Sequence, residues 1–155
     1  MNETRRDFVK LGGVFALLAA TGLLTAEEAL AQQQAWNKAA FESKNLADAI
    51  KALGGTAATP SGDITITAPD IAENGAVVPV GVTSKIPNTQ AVYILVEKNP
   101  NVVAAGFTLP PGTEPTVATR VKMGQSSNVH AVVKADGKFY VATKEVKVTL
   151  GGCGG

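Results

Sequence analysis

The sequence predicts a mainly β protein, because from Ile64 onward apolar and polar residues alternate with the period of a strand. Ile64 and Ile66 alternate with threonines, and similar short segments follow along the chain. Asn-Gly, Asp-Gly and proline-containing turns separate these segments. About seven short strands at this spacing are typical of an immunoglobulin-like β-sandwich. A short helical segment precedes the strands, and a Gly-Gly-Cys-Gly-Gly arm follows them.

Residues 1–31 have the pattern of an export signal. Arg5 and Arg6 are followed by an aromatic residue, as in twin-arginine signals, and then by an uncharged apolar run. This run is shorter than the about 20 residues that a membrane span needs. The sequence Ala-Leu-Ala at residues 29–31 is a typical cleavage site. We expect a periplasmic protein of 155 − 31 = 124 residues that starts at Gln32, and the alternative is an uncleaved membrane anchor.

The segment 32–55 is expected to be helical, because apolar residues between Trp36 and Leu53 recur at helical spacing. Ser43 is placed to cap a second helical piece. Gly54 and the glycine after it end the segment, since glycine favours helix termination. The β-sandwich domain is predicted over residues 56–150.

The strand candidates of this domain share β-branched residues and flanking turns. After residues 64–67 they are 77–83, 92–97, 105–109, 117–123, 129–134 and 139–150. Alternation places Val129, Ala131 and Val133 in the core and predicts a solvent-facing His130.

The strand candidate Val92–Val96 is apolar on both faces, and Val77–Val82 is nearly so. A sandwich strand buries only one face in its own core. The second face is covered either by the amino-terminal helical segment or by another subunit. Pro79 lacks a backbone N–H, so its strand is expected to be an edge strand or to contain a bulge.

The predicted arm consists of Gly151, Gly152, Cys153, Gly154 and Gly155. Glycine has the least restricted backbone, so the arm is expected to be a thin, flexible tether. Five residues extend at most roughly 17 Å. A thiol on such an arm can enter a narrow pocket of another protein, which indicates a carrier.

Cys153 is the only cysteine, so it cannot form an intramolecular disulfide. In an oxidising compartment it must be capped, joined to another molecule or kept as a reactive thiol. The nearest basic residue in sequence is Lys147, so the chain itself does not visibly activate the thiol. This pattern favours a carrier over an enzyme.

No catalytic set, cofactor motif or metal site competes with this interpretation. Residues 32–155 carry 14 − 3 = 11 basic and 13 − 4 = 9 acidic side chains, which argues for neither nucleic acid nor a membrane surface as partner. One histidine and one cysteine do not make a typical zinc site. We therefore expect no metal and no resident cofactor.

The signal, the β-rich domain and residues 148–155 together resemble the SoxY family, the sulfur-carrier subunits of the periplasmic Sox thiosulfate-oxidising system. Residues 68–80, 98–100 and 122–124 add to the resemblance. It implies that Cys153 carries sulfur intermediates and that the four arm glycines present them.

The resemblance also implies the partners. SoxZ, a second β-sandwich without a signal of its own, would form a heterodimer with this chain and be exported with it. The haem enzyme SoxXA would join thiosulfate to the cysteine, the manganese hydrolase SoxB would release sulfate, and SoxCD would oxidise the remaining sulfur.

Two other functions stay open at this stage. Cys153 would form an intermolecular disulfide in a redox or structural protein. Alternatively, the terminal Gly-Gly carboxylate would be activated, as in ubiquitin-like sulfur carriers.

Overall fold

A computed structural model describes residues 37–149, which form two facing β-sheets and two short helices. The predicted immunoglobulin-like sandwich with a short helical segment is confirmed. The elements are α1 (Lys38–Phe41), α2 (Leu46–Ala52), β1 (Ala58–Pro60), β2 (Ile64–Thr67), β3 (Ile71–Ala72), β4 (Val78–Ser84), β5 (Thr89–Val96), β6 (Val103–Thr108), β7 (Thr116–Val121), β8 (Ser127–Ala135) and β9 (Lys138–Val148).

The larger sheet has the strand order β1-β9-β8-β5-β6, and β3 pairs with the end of β9. The smaller sheet has the order β2-β4-β7. β1 and β3 run parallel to β9, whereas the other neighbours are antiparallel. β1 and β3 were not predicted from the sequence, because segments of three and two residues are too short to show alternation.

The main core lies between the two sheets and is built mostly from valines. Val78, Val80 and Val82 of β4 are buried, while the residues between them are exposed or half-buried. The facing sheet contributes Val129, Ala131 and Val133, as predicted, together with alternate residues of β5. These side chains meet because successive residues of a strand point to opposite faces.

The outer face of the larger sheet is covered by the helices. Leu95 and Val132 point away from the main core and pack with Ala49 and Ile50 of α2 in a second cluster. The helical segment therefore covers the second apolar face of Val92–Val96, and this strand offers no free surface to a subunit.

The helical segment is broken into two pieces. Asn45, not Ser43 as predicted, is the N-cap of α2, because its side chain accepts from the backbone N–H of Asp48 at 2.8 Å. The Ser43 hydroxyl instead donates to the carbonyl of Ala39 at 2.9 Å. Gly54 ends the segment with φ at +93°, as its position predicted.

The strand β4 is the central strand of the smaller sheet, so the prediction of an edge or bulged strand is wrong for β4 as a whole. β2 pairs only with residues 81–84, and at Pro79 the only ladder partner is Arg120 of β7. The missing N–H of Pro79 thus lies where β4 has one neighbour.

A tight turn joins β8 to β9. Asp136 and Gly137 have φ values of 49° and 73°, which a type I′ hairpin turn requires at both central positions. The turn starts the longest strand of the structure, β9. Within residues 37–149, no helix is long and apolar enough to cross a membrane.

We expect Ile50→Ala to lower the free energy of unfolding by about 2–4 kcal/mol, because it removes a buried side chain that packs α2 on the sheet. Urea denaturation of the mature domain measures this loss. Lys51→Ala, at an exposed position of the same helix, is the matched control. Equal stability of the two variants would contradict the role of α2 as a core element.

Candidate functional site

The predicted carrier arm, residues 151–155, is not among the residues that the structure describes. Cys153 and the four arm glycines, like Arg5 and Arg6 of the export signal, lie outside residues 37–149. The structure describes the arm root, which we define as the end of β9 and the residues that hold it. Thr149 is the last described residue of this root.

One edge of the arm root is held by β3. Ile71 and Ala72 pair in parallel with Lys147 and Val148. The Lys147 N–H donates to the carbonyl of Asp70 at 3.0 Å, and the Thr149 N–H donates to the carbonyl of Ala72 at 3.1 Å. Backbone hydrogen bonding on this edge thus continues one residue past the end of β9, to Thr149.

The opposite edge of the arm root is held by a serine side chain. The ladder between β8 and β9 ends at the pair Ser127 and Val146. Beyond this pair, the Val148 N–H donates to the Ser126 hydroxyl at 2.8 Å, and that hydroxyl is 3.4 Å from the Val148 carbonyl oxygen. On this edge, the Ser126 side chain therefore makes the backbone hydrogen bonds that a neighbouring strand would otherwise make.

Two further contacts fix the segment that carries β3. The Lys144 ammonium donates to the carbonyl of Ala68 at 2.6 Å and lies 3.0 Å from the Asp70 carboxylate. Gly75 packs so closely that a Cβ there would meet the Met123 carbonyl oxygen and would lie 2.8 Å from Val148 Cγ1. A side chain at residue 75 would displace this segment from the arm root.

The surface next to the arm root is partly apolar. Ile71 and Val77 are the exposed large hydrophobic side chains among residues 37–149, with 58% and 48% of their surface accessible. Ile71 belongs to β3, which holds β9, and Val77 follows six residues later in the chain. Apolar side chains of this size on a surface are typical of contact with another protein when they form a patch.

His130 is buried, and the prediction that it faces solvent is wrong. It lies on β8 opposite Leu95 and Thr143, and it is 9% exposed. Its Nδ1 is 2.8 Å from the Thr143 hydroxyl, and its Nε2 is 3.7 Å from the Glu97 carboxylate. Alternation does place it away from the main core, but neighbouring side chains on the outer face shield it.

The environment of His130 is that of a structural residue. Burial lowers the pKa of the imidazole, and the nearby Glu97 carboxylate raises it by a smaller amount. Glu97 is itself held by the side-chain amide of Asn128 at 2.8 Å. Both ring nitrogens face polar side chains, those of Thr143 and Glu97.

A cleft of about 730 Å³ lies at the other end of the sandwich, lined by residues of the loops 86–90, 108–115 and Asp136. This cleft is beside the start of β9, whereas the arm root is at its end. The strand's 11 residues span roughly 33 Å. The arm of the same molecule is too short to reach the cleft. No cluster of metal-binding side chains occurs within residues 37–149.

The arm-root residues Ser126 and Ala72 were not identified from the sequence. Their role depends on hydrogen bonds to β9 from residues 22 and 77 positions away. A local signal did exist, because residues 68–80 belong to the stretches that carry the family resemblance.

The chain is similar to proteins of sulfur oxidation in sequence and in fold. The family model described as "Sulfur oxidation protein SoxY" matches residues 50–153. The solved structure of the sulfur carrier protein SoxY from Chlorobium limicola f thiosulfatophilum is similar, with 42% sequence identity and a TM-score of 0.63. The match covers 68% of this chain and 97% of that chain. No curated protein matches at the significance required.

We expect NMR titration of His130 to give a pKa below 6.5, because burial disfavours the imidazolium. The chain has one histidine, so its ring signals need no assignment. Glu97→Gln removes the carboxylate that opposes this shift, and the pKa is expected to fall further. Glu114→Gln, in a loop at the other end of the domain, is the control.

The same shift predicts the pH dependence of stability. The unfolded chain binds a proton on this histidine below about pH 6.5, and the folded chain does so only at lower pH. The contribution of His130 to the free energy of unfolding is therefore complete above the pKa of the unfolded chain. It is lost as the pH falls through the pKa of the folded chain. A titration at or above 6.5 would contradict the buried position.

Proposed function

The chain belongs to the SoxY family and acts as a carrier in sulfur oxidation, and we propose that its cargo is bound covalently to the thiol of Cys153. The observation that carries this proposal is the family match, which runs through residue 153 and so includes the single cysteine. The arm root adds support, because it anchors the chain four residues before that cysteine. Gly151, Gly152, Gly154 and Gly155 would form the flexible arm.

The proposed cargo chemistry starts with thiosulfate. A bond forms between Cys153 Sγ and the outer sulfur of thiosulfate, which releases one proton and two electrons to an oxidising partner enzyme. The product is a cysteine S-thiosulfonate. Hydrolysis then adds water across the bond between the outer sulfur and the sulfonate, and it releases sulfate and two protons. A persulfide remains on Cys153 for further oxidation.

The family implies partners of the Sox system, and the specific set belongs to the proposal. SoxZ is the proposed heterodimer partner, and SoxXA, SoxB and SoxCD-type enzymes are the proposed transient partners. The proposed location is the periplasm, reached by the twin-arginine pathway through Arg5 and Arg6. This route carries folded proteins, which suits a partner exported together with this chain.

A second candidate function also uses the thiol. In a redox or structural protein, Cys153 would join a second chain through a disulfide. The family match favours the sulfur cargo, and the two functions differ in what is attached to the thiol. A non-reducing gel detects the second chain, and intact mass detects the sulfur cargo.

We expect Cys153→Ser to abolish thiosulfate oxidation in a reconstituted system, with a loss of at least about 10³-fold, because an alcohol does not form these adducts under physiological conditions. The free energy of unfolding should not change. Intact mass of the protein from its native periplasm should show reductant-sensitive additions of sulfur or thiosulfate on the wild type alone.

The control for this experiment is Thr113→Ser, an equally small change in an exposed loop. This variant should keep full activity and the same adducts. Retained activity of Cys153→Ser would refute covalent binding of the cargo to Cys153, and it would be expected if the terminal carboxylate carried the cargo. A mass that shows only a disulfide dimer would favour the redox or structural function.

We expect Val77→Asp to weaken the heterodimer at least about tenfold, because a charge would be desolvated if this exposed apolar residue lies in the partner interface. Analytical ultracentrifugation of the purified pair measures the dissociation constant. Ala57→Asp, in an exposed loop before β1, is the control. An unchanged constant would place the interface elsewhere.

A further inference from the structure

We propose that Ser126 is a positioning residue that, with β3, clamps the arm root and thereby sets the length of the carrier arm. This inference rests on the proposed function of Cys153. The clamp consists of the Ser126 hydroxyl on one edge of β9 and the backbone of residues 70–72 on the other. Thr149 is the last described residue that this clamp anchors.

The clamp is needed because β9 extends beyond its main neighbour. The ladder with β8 ends at Val146. On that edge, Ser126 alone contacts the backbone of Val148 among the described hydrogen bonds, and it engages both the N–H and the C=O of that residue. A strand end with unpaired backbone groups opens easily to water.

The segment that forms the other half of the clamp is itself braced. Lys144 is located on β9, four residues before Val148, and it binds the Ala68 carbonyl and the Asp70 carboxylate. The side chain therefore ties the β3 segment to the same strand that the segment holds. The Thr149 hydroxyl lies 3.5 Å from the Ala72 carbonyl oxygen, which places a further polar contact at this edge.

In this proposal, the position of the clamp decides how far the thiol can reach. From Thr149 to Cys153 there are four residues, which span at most roughly 14 Å. If the clamp opened as far as Val146, three more residues would be released, and the reach would grow by roughly 10 Å. A longer tether spreads the thiol over a larger volume and lowers its effective concentration at a partner's reacting atom.

The first test measures the clamp directly by amide hydrogen exchange. Ser126→Ala is expected to speed exchange of the Val148 and Thr149 amides roughly tenfold, because one hydrogen-bond partner is lost and the strand end opens. Ser84→Ala is the matched control, since Ser84 also accepts from a backbone N–H, at 3.2 Å, but at the other end of the sandwich. Unchanged exchange at Val148 in Ser126→Ala would overturn the clamp.

The second test measures the consequence for the carrier. With the oxidising partner enzyme and thiosulfate, Ser126→Ala is expected to lower kcat roughly two- to threefold at unchanged KM, because the docked arm finds the reacting atom less often. The rate of Cys153 with a small thiol reagent should stay the same. Insertion of three glycines after Leu150 should reproduce the fall in kcat while the clamp stays intact.

These outcomes separate the clamp from the proposed function. Activity of Cys153→Ser would refute the covalent carrier, whatever the exchange rates. An inactive Cys153→Ser together with unchanged kcat in Ser126→Ala, or in the glycine insertion, would overturn the role of arm length alone. The insertion also keeps the test decisive if Ser126→Ala is too unstable to purify.

Discussion

The structure depends on the hydrogen bonding of β9 along both of its edges. This strand pairs with β8 from Lys138 to Val146 and, on its other edge, with β1 near its start and β3 near its end. The predicted arm follows this strand in the chain, so β9 is the support to which the arm is attached. Where β8 stops, the Ser126 hydroxyl continues the edge, because an unpaired backbone group near the surface would let the strand end open.

The two apolar faces of β5 explain why a small domain needs the helical segment. The inner face of this strand joins the valine core between the sheets, and Leu95 on its outer face needs separate cover. α2 provides that cover with Ala49 and Ile50, and it holds its position through the Asn45 cap. Burial of both faces makes β5 and β8 a close-packed middle layer of the domain.

Cys153, which is proposed to bind the cargo, lies outside residues 37–149. Within residues 37–149 the one buried ionisable residue, His130, is engaged by Thr143 and Glu97. The large cleft lies at the end away from the arm root. This arrangement suits the sulfur-carrier role of the family, because the domain supplies a fixed point of attachment for the proposed arm. The exposed side chain of Ile71 lies on β3, which forms part of this attachment.

The sequence by itself determined the class of the fold, most strands and the family. Strand alternation and turn residues are local, so Val129, Ala131 and Val133 were assigned to the core correctly. The arm is likewise visible in the sequence, and the roles of Cys153 and its glycines stay predictions from it. Tertiary structure decided that His130 is buried, that α2 covers β5, and that Ser126 and β3 hold β9. These features arise from contacts between residues far apart in the chain, and such pairings leave no periodic pattern in either segment.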